Sequence, residues 1–137
     1  MAWNEHWSTS PPGSLASVTW VSRIAGYLDT FNRPQKFTIG THLYGMDWPA
    51  GSPAKPIEWR NLMALKARVG AVDGYDAAAH EPTFTYSAGG TMHTVYYATG
   101  TSVAERLGFY RSKGYGIGMW RLGREDPSIW SDPAVLP

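Results

Sequence analysis

The chain has no cysteine in its 137 residues. That excludes disulfides and thiolate metal sites and leaves the redox compartment undecided. It also lacks any run of 18 or more apolar residues, so no membrane-spanning helix is expected. Charge is sparse, at 17% Asp, Glu, Lys and Arg, and nearly balanced, with twelve basic and eleven acidic residues. Such a balance argues against nucleic-acid or membrane binding driven by bulk charge. Met1-Ala2-Trp3-Asn4-Glu5 carries neither a basic n-region nor an apolar h-region, so no signal peptide is expected in this sequence. No internal repeat or low-complexity segment is present.

Aromatic residues are abundant: seven Trp and eight Tyr in a chain sized for one domain with a modest core. Rings with polar handles suit a carbohydrate or aromatic ligand. They equally suit an aromatic-rich core with a buried partner surface.

The pattern along the chain predicts alternating strands and helices. Met1 to Glu5 reads as a short strand, followed by a Ser-, Pro- and Gly-rich loop to Ser17. Ser17 can cap a helix over 18–29, with Trp20, Val21, Ile24, Tyr27 and Leu28 on one face. Lys36 to Tyr44 reads as a second strand and 45–56 as a long loop. A helix is expected from about Ile57 to Val69, with Gly70 as its left-handed cap. Residues 71–80 are ambiguous and read as extended, and 83–87 with 92–97 form a hairpin around Ala88-Gly89-Gly90-Thr91. Thr101 or Ser102 caps a helix to about Lys113, and Gly114 ends it. A strand follows over 115–122, then a proline-punctuated tail with Trp130. This order argues for parallel βαβ units interrupted by a small α+β insert. Three barrel-type strands cannot close a barrel of about eight.

Individual motifs are thin. His6, His42, His80 and His93 show no HxxxH or HxH pairing, so no metal or other cofactor is expected. The carboxylates are scattered, and only Glu125 and Asp126 are adjacent. General acid catalysis needs a carboxylic acid with a raised pKa and a supporting neighbour. Glu5 lacks such a partner.

One ordered set of motifs resembles a known family. Met1-Ala2-Trp3-Asn4, followed by Glu5-His6-Trp7 and a Pro12-Gly13-x-x-Ala16-Ser17 loop, is similar to the sixth barrel strand of glycoside hydrolase family 18. Lys36, Gly40, Tyr44, Gly45, Asp47 and Trp48 resemble its seventh strand and exit. Gly116, Trp120, Leu122 and Gly123 resemble the end of its eighth. The branch most similar is that of bacterial spore-cortex-lytic and peptidoglycan N-acetylglucosaminidases.

The resemblance implies an α/β fold: the C-terminal part of a (β/α)8 TIM barrel, with barrel elements over 1–45 and 101–137 and an α+β insertion over 46–100. It implies substrate-assisted retaining hydrolysis of β-1,4-linked N-acetylglucosamine glycans, peptidoglycan or chitin, an exception to the two-carboxylate scheme. Trp120 would floor the sugar subsite and Asn4 would meet the acetamido group or the catalytic carboxylates. Trp3 stands where the family has a tyrosine. Tyr44 would sit at the strand ends, and Trp48 and Trp7 would line outer subsites. The family's acid-bearing DxxDxDxE run is absent, so the isolated chain is expected to be inactive. The implied partners are an N-acetylglucosamine-containing polysaccharide and either a missing N-terminal barrel half or a second copy. Met1 coincides with a methionine of the family's strand, which favours an internal methionine read as an initiator. An extracellular or spore-wall location would follow from the family alone. The alternative is a non-catalytic carbohydrate-binding or interaction half-barrel, dimeric or otherwise covered.

Overall fold

Ser17 stands in extended backbone, and its hydroxyl accepts the Trp20 N–H. This satisfies one of the donors that a helix start leaves orphaned. In the computed structural model, which describes residues 1–133 and 135, this cap opens α1 at Val18–Asp29, the span the sequence predicts. Val21 and Ala25 are buried, and Trp20, Ile24 and Leu28 pack beside them. Tyr27, expected on the same face, is exposed. It lies at the edge of the apolar stripe and meets Phe31 edge-on instead.

After a 3-10 turn at Pro34–Lys36, strand β1 covers Thr38–His42. Its parallel partner arrives much later in the chain, as Gly116–Trp120, with Thr38 opposite Gly116 and His42 opposite Trp120. Met1 to Glu5 lies on the other side of β1 but is not a regular strand. The Ala2 N–H donates to the Gly40 carbonyl, and then Asn4 turns away with φ 72°. The Glu5 N–H goes to Leu15 instead of continuing the ladder. Trp3 fits there because residue 40 is glycine: a Cβ on Gly40 would stand 2.5 Å from the indole ring.

Between the two parallel strands lies a second sheet. β2 (Gly45–Pro49) and β3 (Lys55–Ile57) occupy the segment expected as loop. Its prolines misled because Pro49 ends a strand and Pro56 sits in an edge strand, where a missing N–H is tolerated. Helix α2 (Trp59–Val69) starts two residues later than expected, since Pro56 and Ile57 belong to β3. Gly70, at φ 64°, closes it as predicted. β4 (Gly74–Asp76), β5 (Glu81–Ala88) and β6 (Thr91–Tyr97) complete an antiparallel sheet of order β3-β2-β6-β5-β4. The β5–β6 turn uses Gly89 and Gly90, both at positive φ, as a two-residue hairpin demands. α2 covers one face through Leu62 and Leu65 against Phe84, Val95 and Tyr97. Met46 and Trp48 cover the other, with Leu15 and Ala54.

Helix α3 (Gly100–Ser112) returns the chain to the parallel pair and leads into β7 (Gly116–Trp120). Its cap is Thr99, not Thr101 or Ser102: the Thr99 side chain and the Ser102 hydroxyl each accept the other residue's N–H, a capping box. Val103, Leu107 and Tyr110 bury against Ile39, Leu43, Val21 and Ala25.

The insert is joined to this layer by a buried polar cluster. Glu81 opens β5 with a fully buried side chain. Its Oε1 accepts from His42 Nε2 at 2.8 Å and faces an Arg106 terminal nitrogen at 3.4 Å. Burial, then the Arg106 charge, pushes the His42 pKa down, so the ring stays neutral. Burial alone would raise the Glu81 pKa. The His42 and Arg106 partners outweigh it and hold the carboxyl down at about 2.

Removing one partner of a buried charge pair costs about 3–5 kcal/mol. Glu81→Ala should therefore lower the unfolding free energy from urea melts by an amount of that order, and Glu81→Gln by less. Acid acts in the same direction on both groups. The unfolded chain takes up a proton on His42 near its ordinary 6.5, which the folded state resists. Glu81 contributes stability above 4.5 that is lost as pH falls toward 2. Urea melts from pH 7 to 2.5 should show stability falling in both windows, with Glu81→Gln flattening the lower one.

Candidate functional site

The parallel pair brings the C-terminal ends of β1 and β7 together. The Leu43 N–H donates to the Trp120 carbonyl at 2.7 Å, carrying the ladder one step past both strands. Trp120 closes β7 with its indole 54% exposed. The peptide bond that follows it is cis. Tyr44 lies just beyond β1, half-buried, with its ring edge-on to His42 at 5.8 Å. Burial pushes the Tyr44 phenol up from its ordinary value, while the Trp3 indole N–H and the Arg124 charge pull it down. Trp3 is 8% exposed and Asn4, next to it, is exposed.

Trp3, Asn4, Tyr44 and Trp120 thus stand on three adjacent segments at one end of the parallel layer. Trp48 belongs to the insert. It is 3% exposed, packs edge-on to Tyr96, and aims its indole nitrogen at the Trp7 carbonyl. It also lines an uncharged groove of 530 Å³ between residues 8–12 and 48–53. Trp7 is exposed, with its indole N–H on Thr9.

The carboxylates nearest in sequence have structural partners. Glu5 Oε2 accepts the Ser17 N–H at the start of α1. Asp47 accepts from the Tyr86 hydroxyl at 2.6 Å and pairs with His93 Nδ1 at 2.8 Å, while those two rings stack at 4.4 Å. His6 donates Nδ1–H to the Ser14 carbonyl and lies flat on Gly13. Among the described residues no three His, Asp or Glu side chains converge as metal ligands.

The site therefore offers an exposed indole face, a phenol and an exposed amide. Sequence reading missed the His42–Glu81–Arg106 joint beneath it, because 39 residues separate His42 from Glu81 and no local pattern links them.

Two parallel strands bridged by an insert and a helix, with aromatic residues at their C-terminal ends, form the closing portion of a (β/α)8 barrel. The chain matches the C-terminal half of the glycoside hydrolase family 18 barrel. No family model matches it. It is 28% identical over 137 residues to the cortical fragment-lytic enzyme of Bacillus anthracis, covering 95% of this chain and 32% of that protein. The chain thus spans less than half of the curated relatives it matches. The spore cortex-lytic enzyme SleL of Bacillus cereus superimposes with a TM-score of 0.88 at 27% identity, over 96% of this chain and 32% of that one. A chitinase from Chromobacterium violaceum gives 0.85 at 32% identity, over 98% and 43%.

Gly40→Ala should dislodge Trp3, since the added methyl would overlap the ring. The expected readouts are lower stability and a red-shifted tryptophan emission. An unchanged spectrum would place the indole off Gly40.

Proposed function

We propose that this chain is the C-terminal part of a glycoside hydrolase acting on β-1,4-linked N-acetylglucosamine glycans, with peptidoglycan favoured over chitin. The observation that carries this reading is Trp120, held by the β1–β7 ladder yet half exposed beside Tyr44 and Trp3. A sugar presents flat C–H faces, and a fixed indole gives them a platform with little ordering cost. The names of the cortical fragment-lytic and chitinase relatives point to the same substrate class.

In this reading residues 1–45 and 101–137 are barrel and 46–100 an insertion. Trp120 floors the subsite of the sugar to be cleaved. Asn4 meets its acetamido group or the catalytic carboxylates, Tyr44 and Trp3 line the wall, and Trp48 faces an outer subsite. The reaction is retaining and substrate-assisted: the acetamido carbonyl oxygen attacks the anomeric carbon as an acid protonates the departing oxygen, and water then opens the intermediate. No DxxDxDxE run is present to supply that acid, so the chain alone would not hydrolyse glycan. The acid would come from the other barrel strands, on further polypeptide or a partner. The missing acid also favours a second reading, a non-catalytic glycan-binding half-barrel that self-associates.

Titration with N-acetylglucosamine oligomers, followed by tryptophan fluorescence, tests the proposal. Binding without hydrolysis is expected, and Trp120→Ala should weaken it at least tenfold, about 1.4 kcal/mol. Hydrolysis by the chain alone, or binding indifferent to Trp120, would contradict it.

A further inference from the structure

A second cavity lies away from the strand ends, between α1, α3 and the turn that leads into β5. It measures 300 Å³. Val21, Ala79, Ser102 and Arg106, all buried, form its inner surface. Val18 and Phe109 extend the apolar wall. On the rim, His80 Nδ1 reaches Glu105 at 3.0 Å, so an exposed hydrogen bond spans from the insert to α3. The next residue on each side makes the buried pair, Glu81 with Arg106.

Arg106 is the unusual member. It is 4% exposed, yet its contacts to Glu81 Oε1 and the Ser102 hydroxyl are both long, at 3.4 Å. Among the described residues its Nε has no hydrogen-bond partner. A guanidinium carries five N–H donors, and leaving them unmet in a buried site is unfavourable. A mostly apolar pocket with one convergent, under-satisfied polar group has the character of a small-molecule site.

We propose that this cavity binds a short aliphatic carboxylate, either a free acid or the C-terminus of a small-residue peptide. The carboxylate faces Arg106 and Ser102, where a planar guanidinium gives charge-assisted, paired hydrogen bonds. The aliphatic part lies on Val18, Val21 and Phe109. On the rim the Glu105 carboxylate is engaged by the His80 ring. Occupancy strengthens the hold on Arg106, which faces Glu81, which in turn holds His42 against Tyr44. The site therefore has a continuous physical route to the strand ends, although it does not depend on what binds there.

The test is NMR titration of the isotope-labelled full chain with butyrate, butyramide and N-acetyl-alanyl-alanine. Saturable shifts centred on the amides of 18–21, 79–81 and 102–109 are expected with the carboxylates, with butyramide at least tenfold weaker. Tighter binding of the dipeptide assigns the peptide terminus, and the reverse assigns the free acid. Arg106→Gln should abolish binding but disturbs the Glu81 pair. Val18→Trp is the cleaner variant, because it fills the cavity from a rim position and leaves Arg106 alone. The proposal is overturned if neither carboxylate saturates, if butyramide binds equally, or if Val18→Trp leaves the titration unchanged.

Discussion

The fully buried carboxylate of Glu81 fixes how this protein is put together. A charge of that kind is tolerated only with partners in place, and the partners lie on different elements: His42 at the end of β1 and Arg106 in the middle of α3. Glu81 itself opens a strand of the insert. One residue therefore ties the antiparallel sheet to a parallel strand and to the crossover helix at once. Apolar packing between these elements could slide by a residue at small cost, whereas the Glu81 contacts accept one arrangement. Burial, with the Arg106 charge behind it, holds the His42 pKa below its ordinary value against the pull of Glu81, and the His42 ring edges Tyr44. Position at the strand ends is thus inherited from a buried polar cluster beneath them.

A second constraint is steric. The parallel layer is narrow at Gly40 and Gly118, which face one another in register. On one side this allows the Trp3 ring to lie directly over β1. Trp3 then joins the apolar core of this layer with its ring against the Gly40 backbone, and its indole N–H is left near the Tyr44 phenol. The residue at position 40 and the one at position 3 are a single packing decision.

The elements that depend on local chemistry were legible in the sequence. Ser17, Gly70, Gly114 and the Gly89-Gly90 turn act within a few residues of themselves, and α1, the end of α2, the end of α3 and the β5–β6 hairpin fall where they indicate. The misreadings share a different cause. β2 and β3 carry proline and glycine that signal loop locally, yet they are strands because β6 pairs with β2 from 48 residues away in sequence, Asp47 opposite Val95. The opening segment failed in the other direction. Its pattern suits a strand, but Asn4 turns out after one ladder bond. At the candidate site, the ordered spacing of Tyr44, Trp48 and Trp120 could be read along the chain. The division between them could not: Trp48 turns toward the insert and its groove, while Tyr44 and Trp120 stay with the parallel pair.

The parallel pair also shows where the layer is open. Parallel strands with a crossover helix on one face are ordinarily buried on both faces and paired on both edges. Among the described residues β7 pairs with β1 only, and along it Ile117 and Met119 are partly covered while Trp120 and, just beyond, Leu122 are exposed. In the insert, α2 packs on one side of the sheet, and on the other Met46 and Trp48 of β2 pack with Leu15 and Ala54. The parallel layer therefore carries an open strand edge at β7 together with two exposed apolar side chains, Trp120 and Leu122, at the end of that strand. A further strand laid along that edge would satisfy the backbone donors and acceptors that β7 leaves unpaired.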